Sequence, residues 1–286
     1  MTIFPCCKIN LGLNVINRRP DGYHDLETVF YPIPLHAALD VTLMDDAYPS
    51  DVACDLLTKT VDGGVQKTDM LCPEQDNLVV KAYNILARDH KLPRIHAHLL
   101  KFIPSQAGMG GGSSDAAAMI RLLNDMFGIG LNTTEMQSYA ARLGADCAFF
   151  ITGEPSYATG IGEVLTPLDG GVPQLEGYYL ALVKPDVAVS TGKAYGAITP
   201  KKPAYNCAEI VKLPVTEWRG KMTNDFEEPV FRMLPVLGEV KDKLYDMGAD
   251  FALMSGSGST LFGLFREEPQ DIGATFPGCF TKVIRL

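Results

Sequence analysis

Four glycines, Gly108, Gly110, Gly111 and Gly112, fall within five positions, and Ser113 and Ser114 follow them. Glycine lets a backbone approach a ligand closely and adopt φ > 0. Ile120, Leu123 and Phe127 then repeat at helical spacing, with Asp115 expected in the first turn and Gly128 as a natural stop. A helix starting near Ser113 aims N–H groups into the glycine segment, and that arrangement suits an anion. The serine hydroxyls could reach phosphate or a metal ion. The competing reading is a flexible joint, but a linker rarely ends on a capped, alanine-rich helix. Two familiar phosphate motifs do not fit. No Gly-Lys-Ser/Thr closes the loop, and Ser113 stands where a dinucleotide fingerprint needs its third glycine.

Further groups carry reactive side chains. Lys8 and Asn10, at i and i+2 of a predicted strand, share one face. The turn Arg18 to Gly22 leads to Tyr23 and His24. Taken singly, Lys8 reads as an exposed strand lysine and His24 as a turn histidine. Asp146 follows the stop at Gly144 and precedes Cys147-Ala148-Phe149-Phe150. It could cap the next helix or serve as a catalytic acid or base. The run Ser255 to Ser259 is either a plain hairpin turn or a second close approach of backbone. His96 and His98, i and i+2 on a strand, could share a metal. No third ligand of suitable spacing is apparent, so no metal role is assigned to them.

The elements that must position these residues follow from periodicity. Lys8 to Val15 alternates as a strand with its polar side chains on one face, and Leu26 to Ile33 returns as its hairpin partner, roughened by Pro32 and Pro34. Asp51 to Gln75 reads as strand fragments and loop. Asp76 is expected to cap a helix bearing Leu78, Ala82, Ile85 and Leu86. Arg94 to Lys101 reads as a strand. Thr134 and Gln137 suggest a capping box for a helix reaching Leu143. Beyond a Gly- and Pro-dense stretch, Tyr178 to Lys184 is a strand and Pro235 to Met247 a helix. Two strands flank the Ser/Gly turn, and Thr281 to Leu286 closes as a strand. Helices and strands alternate too irregularly for a doubly wound sheet, so the expected class is α+β.

Composition bounds the function. The chain has 286 residues, 47% hydrophobic and 21% charged, enough for a large core without staples. Its 25 basic residues against 34 acidic ones leave a net charge of −9, which argues against nucleic-acid and anionic-membrane partners. The seven cysteines, Cys6, Cys7, Cys54, Cys72, Cys147, Cys207 and Cys279, show no CxxC spacing, so reduced thiols in the cytoplasm are expected. No targeting segment is visible, and no apolar run reaches the ~18 residues of a membrane span.

Assembled, these motifs resemble the galactokinase, homoserine kinase, mevalonate kinase and phosphomevalonate kinase superfamily. The resemblance runs from Lys8 to about Phe265 and rests on Lys8-Ile9-Asn10-Leu11, on Arg19 to His24, on Pro104 to Ala117, on Gly144-Ala145-Asp146 and on Ser255 to Gly258. The glycine segment marks the superfamily. The pairing of the Lys8 and Tyr23-His24 motifs selects the branch that phosphorylates 4-diphosphocytidyl-2-C-methyl-D-erythritol. Residues 185–225 match poorly apart from Thr191 and Tyr195.

The resemblance implies a two-lobed α+β small-molecule kinase with its active site in the cleft between lobes. The expected division is an ATP-binding domain over residues 1–160 and a substrate-side domain over 161–286. ATP would be held by Pro104, Ser105, Gln106, Ala107, Gly108, Met109, Gly110, Gly111, Gly112, Ser113 and Ser114, with Asn77, Leu78 and Lys101 lining the purine pocket. Asp146 would take the hydroxyl proton, and Lys8 would keep Asp146 ionised and steady the developing charge. Asn10, Tyr23, His24, Phe30, Thr191 and Tyr195 would hold the acceptor, with aromatic faces for the cytosine. Mg²⁺ is expected with ATP, and Ser114 and Asp146 are its candidate ligands. The alternatives are a homoserine or mevalonate type of kinase, which needs no cytosine reader, and a non-catalytic nucleotide-binding regulator. The presence of both Lys8 and Asp146 argues against the regulator.

Overall fold

Each half-buried strand must hide one face, and the described residues do this in three sheets. The computed structural model describes residues 1–44, 50–59, 65–68 and 73–286. Cys72 and parts of the expected Asp51–Gln75 loop lie outside the described residues. In chain order the elements begin with β1 (Thr2–Ile3), β2 (Cys6–Arg18), β3 (His24–His36), β4 (Ala38–Leu43), β5 (Val52–Lys59) and β6 (Val65–Lys67). Next come α1 (Leu78–Ala87), β7 (Ile95–Lys101), α2 (Gly111–Phe127), α3 (Thr133–Ala141) and α4 (Phe149–Thr152). Then follow β8 (Ser156–Thr159), β9 (Val164–Pro167), β10 (Tyr179–Lys184), α5 (Thr191–Gly196) and α6 (Cys207–Ile210). The chain closes with α7 (Glu227–Met233), α8 (Pro235–Asp246), β11 (Phe251–Met254), β12 (Leu261–Phe265), α9 (Ile272–Thr275) and β13 (Phe280–Arg285). The architecture is α+β.

Two compact units interleave along the sequence. The first comprises Met1–Cys7, Pro34–Ser105 and Gly110–Gly153, and the second Lys8–Ile33, Gln106–Met109 and Glu154–Leu286. In the first unit the sheet order is β1-β4-β7-β5-β6. Strand β5 runs parallel to β7, and β4 runs antiparallel to both β1 and β7. One sheet face is apolar, with Leu39, Val41, Cys54, Leu56, Ile95, Ala97 and Leu99 buried. Helices α1 and α2 pack on one another, and α1 lies against β5. Each large side chain buried this way contributes ~1.5–3 kcal/mol.

In the second unit β2-β3-β8-β9 form one sheet and β11-β12-β10-β13 another. Leu13, Val15, Val183, Phe226, Leu237, Leu244, Met254 and Leu261 share its core. Strand β3 reaches back to β8, pairing Thr28–Phe30 with Ser156–Ala158, which is why Lys8–Ile33 belong with residues after 154.

Several local expectations change. Strand β2 is buried on both faces from Cys7 to Val15, so its polar row is internal. That row is satisfied by side chains, for Asn14 Nδ2 donates to Glu27 Oε1 at 2.8 Å. Strand β3 continues through Pro32 and Pro34, because the β8 ladder ends at Phe30 and those positions need no donor on that side. Asn77, not Asp76, caps α1: its Oδ1 accepts from Val79 N at 2.9 Å, while Asp76 faces Lys81 at 3.2 Å. The capping box of α3 is Asn132 with Glu135, not Thr134 with Gln137. The ionised Glu135 accepts from Asn132 N at 2.8 Å, a stronger bond than a neutral amide offers. Helix α2 begins at Gly111, so Asp115 falls beyond its first turn. The strands expected over Arg94 to Lys101, Tyr178 to Lys184 and Thr281 to Leu286 are present as β7, β10 and β13, each within one residue of its expected ends, and Gly128 closes α2. Among the described residues no helix is long and apolar enough to cross a membrane. Cys6, Cys7, Cys54, Cys147, Cys207 and Cys279 form no disulfide.

Asn224 ties the turn after β11 to the strand β2. Its Nδ2 donates to Met254 O at 2.7 Å and Gly256 O at 2.8 Å, and its Oδ1 accepts from Phe226 N at 2.9 Å. It is 3% exposed, and Leu13 forms a bridge beside it. Asn224→Ala orphans these groups and is expected to cost about 2–4 kcal/mol in urea denaturation. A loss below about 1 kcal/mol would show that water replaces the amide.

Candidate active site

In the second unit the first constellation centres on a buried cation. Lys8 is 3% exposed. Its Nζ donates to Asn10 Oδ1 at 2.5 Å and to the Gly108 carbonyl at 3.2 Å, and it lies 5.0 Å from the centroid of Phe30. The expectation of a solvent-exposed strand lysine is therefore overturned. Asn10 Nδ2 donates to Thr28 Oγ1 at 2.9 Å, and Thr28 in turn donates to Gly12 O at 2.5 Å. These bonds fix the orientation of the Asn10 amide, so its oxygen faces Lys8.

Gly108 belongs here by necessity. Its φ is +71°, and a Cβ at this position would lie 2.0 Å from the Ser255 carbonyl oxygen. Ser255 Oγ donates to Gly108 O at 2.9 Å, and Asn10 N donates to Ser255 Oγ at 3.3 Å. The run Ser255 to Ser259 is thus a close approach of backbone as well as the link between β11 and β12. Ala107 and Met109 are buried at 4% and 1%, so only their backbone can meet a ligand. Ser105 and Gln106 are exposed, Pro104 half so.

The aromatic residues assort unevenly. His24 stacks on Tyr195 with centroids 5.1 Å apart and planes 20° apart. Tyr195 in turn stands edge-on to Phe226 at 4.8 Å. Tyr23 is 61% exposed and outside that stack. Phe30 is 2% exposed, beneath Lys8. Thr191, the first residue of α5, has its Oγ1 3.1 Å from Ser257 Oγ.

In the first unit the start of α2 is open. Gly110 takes a left-handed conformation as N-cap, and no side chain caps the helix. The first-turn N–H groups therefore lack intrahelical partners and carry the positive end of the helix dipole. Gly111 is close to Ile103 and Lys101, and Gly112 to Leu78, with a Cβ falling 3.1, 3.4 and 3.5 Å from their nearest atoms. Gly111 has no positive φ, so a side chain there would be opposed by crowding against Ile103, which would have to give by a few tenths of an ångström. Beneath this turn Lys101 Nζ pairs with Asp115, both nearly fully buried. Burial pushes the Asp115 carboxyl above the usual range, against the pull of Lys101. Asn77 spends its side chain on capping α1.

Asp146 is half-buried in the turn before α4. It does not cap α4, whose N-cap is Ala148 with no side-chain bond. The side chain of Ser113 acts on the thiol of Cys147, the neighbour of Asp146, so the Asp146 turn lies near the start of α2. Burial raises the Cys147 thiol to about 11, with Ser113 opposing and the Asp146 charge adding to the rise. Sequence reasoning missed Thr28 and Asn224 as parts of the framework. Their signal lies in partners distant in sequence, which no local spacing displays. It also missed a third group beside His96 and His98: Asp55 lies against both.

The descriptions of known families agree with this arrangement. "GHMP kinases N terminal domain" matches residues 77–154, and "GHMP kinases C terminal" matches residues 208–276. The chain belongs to the GHMP kinase family. Its relatives narrow the kind. A 4-diphosphocytidyl-2-C-methyl-D-erythritol kinase of Bacteroides fragilis is 48% identical over 280 residues, covering 98% of this chain and 97% of the relative. One of the same name from Parabacteroides distasonis is 48% identical over 282 residues, covering 98% and 97%. A crystal structure of a 4-(cytidine 5'-diphospho)-2C-methyl-D-erythritol kinase superposes with a TM-score of 0.75 at 30% identity, covering 99% of this chain and 98% of that one.

The Gly108 contact generates a test. Gly108→Ala combines a left-handed conformation with overlap of a carbonyl and is expected to cost roughly 3–5 kcal/mol or to prevent folding. Gly128→Ala, at φ +58° with open space around it, should cost only about 1–2 kcal/mol. Equal losses in thermal denaturation would show that the Ser255 contact yields easily.

Proposed function

We propose that the chain transfers the γ-phosphoryl group of ATP to the 2-hydroxyl of 4-diphosphocytidyl-2-C-methyl-D-erythritol, a step of non-mevalonate isoprenoid biosynthesis in the cytoplasm. The observation that carries this reading is near-complete coverage by relatives of that name at 48% identity. The buried, oxygen-held ammonium of Lys8 supports it chemically. Phosphoryl transfer asks a protein for positioning and charge stabilisation more than for covalent chemistry.

Each group has a defined task. Backbone N–H groups from Gly108 to Ser114 donate to the phosphates of ATP, helped by the bare start of α2. Leu78 and Asn77 lie along the purine, and Lys101 acts through its pairing with Asp115 to hold the helix start. Asp146 accepts the proton of the 2-hydroxyl as the O–P bond forms. Lys8 stabilises the negative charge gathering on the attacking oxygen and the γ-phosphoryl oxygens. Asn10, fixed by Thr28, orients Lys8 and the acceptor. The His24–Tyr195 stack offers the cytosine an aromatic face and a polar edge, and Thr191 and Tyr23 complete that side.

Mg²⁺ suits the donors available. It takes hard oxygens and keeps most of its waters and phosphate contacts, so one or two protein oxygens suffice. Ser114, at the start of α2, and Asp146, drawn to that turn through the Ser113–Cys147 contact, would hold it. Bound there, the ion would neutralise phosphate charge.

The decisive assay offers ATP with the cytidyl diphosphate alcohol, homoserine and mevalonate in parallel. Turnover of the cytidyl compound alone is expected; turnover of either other acceptor in its place overturns the reading. Asp146→Asn should lower kcat by two to four orders with KM for the cytidyl substrate little changed. A kcat within about tenfold of the parent would mean that positioning, and not proton acceptance, carries the step. Tyr195→Ala should raise KM for the cytidyl substrate about 5- to 100-fold, following the ~1–3 kcal/mol of a base–aromatic stack, and leave KM for ATP nearly unchanged. Equal weakening of both would assign Tyr195 to packing against Phe226.

A further inference from the structure

The outward face of the first unit's sheet holds a cluster that the kinase chemistry does not use. His96 and His98 alternate on β7 and project from the same face, opposite to the buried Ile95, Ala97 and Leu99. The parallel ladder pairs Asp55 of β5 with His98 and Ala53 with His96. Asp55 Oδ2 is 3.0 Å from His96 Nε2 and 3.3 Å from His98 Nδ1. The two imidazole rings lie 4.3 Å apart. The geometry points to a binding site for one divalent transition-metal ion of the zinc type, held by Asp55, His96 and His98 with water in the remaining position.

Four observations carry this assignment. The first is donor type. Zinc accepts imidazole nitrogen and carboxylate oxygen together, and three protein ligands leave a fourth position for water. The second is spacing. The ligating atoms all lie within 4.8 Å of one another. Adjacent ligands of a tetrahedral zinc ion at bond lengths of 2.0–2.1 Å stand about 3.3 Å apart. Both distances to Asp55 Oδ2 are close to that already.

The third is support from outside the ligand set. Lys67 Nζ lies 2.5 Å from Asp55 Oδ1, so the other carboxylate oxygen stays directed at the histidines. The fourth is access. The side chains of Asp55, His96 and His98 are 24%, 19% and 37% exposed, enough for an ion to arrive and for water to complete its shell.

The chemical balance is simple. The histidines bind the ion as neutral imidazoles and Asp55 as the carboxylate, and any proton these groups carry leaves to solvent. Bound there, it would cross-link β5 to β7, the parallel pair of this sheet. A role as a staple follows, remote in kind from the phosphate chemistry. Hydrogen bonding between two histidines and a carboxylate, with no affinity for metal, is the rival account.

The test uses the full chain stripped with EDTA and dialysed, with Zn²⁺ and Co²⁺ chlorides as probes. Calorimetry should show one Zn²⁺ per chain, and Zn²⁺ should raise the melting temperature. Co²⁺ should give the intense visible absorption of a tetrahedral site. In His96→Gln/His98→Gln the Zn²⁺ affinity should fall at least 100-fold, with the Co²⁺ spectrum and the thermal shift lost. Lys67→Ala should weaken binding 10- to 100-fold, as loss of an outer partner does. Absence of stoichiometric Zn²⁺ binding overturns the site, and so does binding that persists unchanged in the double variant. Should that variant fold poorly in EDTA, the parent's Co²⁺ spectrum decides alone, and a spectrum without tetrahedral bands rejects the site. Kinase activity is no part of the readout, so failure here leaves the phosphoryl-transfer reading intact.

Discussion

Burying an ammonium ion costs several kcal/mol unless oxygen atoms replace its water. Lys8 sits at 3% exposure inside a sheet, and much of the second unit's local structure answers that demand. Asn10 supplies one oxygen and Gly108 another. The Gly108 carbonyl reaches Lys8 only because the backbone at 108 presses against Ser255, where no Cβ fits. Ser255 is placed in turn by the turn that Asn224 holds through two carbonyls. The Asn10 amide is oriented by Thr28 on the neighbouring strand. Every link is polar and at least partly buried, so the ammonium is held in place. A rigid charge is what a phosphoryl-transfer centre requires, because a donor that must reorganise during reaction returns part of its stabilisation.

The first unit solves a parallel problem with an ion pair. Lys101 and Asp115 lie under the opening turn of α2, and the second Asp115 oxygen has no hydrogen-bond partner among the described residues. The pair's net contribution to stability is small, since desolvation of both charges offsets their attraction. Loss of one partner is another matter, at about 3–5 kcal/mol, because the remaining charge stays buried. The pair therefore acts as a constraint on geometry. It holds β7 to the helix whose open N–H groups face the glycine segment.

The outer face of the β5–β7 sheet shows how the same ladder can serve two ends. Its inner side packs on helices that carry the nucleotide motifs. Its outer side gathers two imidazoles and a carboxylate at ligand spacing. Period-two alternation separates the two roles completely, so a change on one face need not disturb the other.

Local chemistry in the sequence determined much of this protein. The glycine segment before an alanine-rich helix, the strand hairpin carrying Lys8, Asn10 and His24, and the alternating Ile95 to Lys101 strand all follow from periodicity and from the conformational freedom of glycine. The motif set also pointed to the kinase superfamily, because Lys8, the 104–114 loop and Asp146 keep their order and type. Tertiary structure decided the rest. Whether the polar face of β2 meets water or an interior depends on what packs over it, and alternation alone cannot say. Competing caps such as Asp76 and Asn77 differ only in backbone angles set by neighbouring turns. Which unit Lys8–Ile33 join depends on pairing with Ser156–Ala158, far along the chain. Asp55 met His96 across 41 residues through ladder register, and so escaped any search by spacing. Sequence records which groups a segment can offer; the long-range pairing of strands sets which of them share a space, and with it their charge and their chemistry.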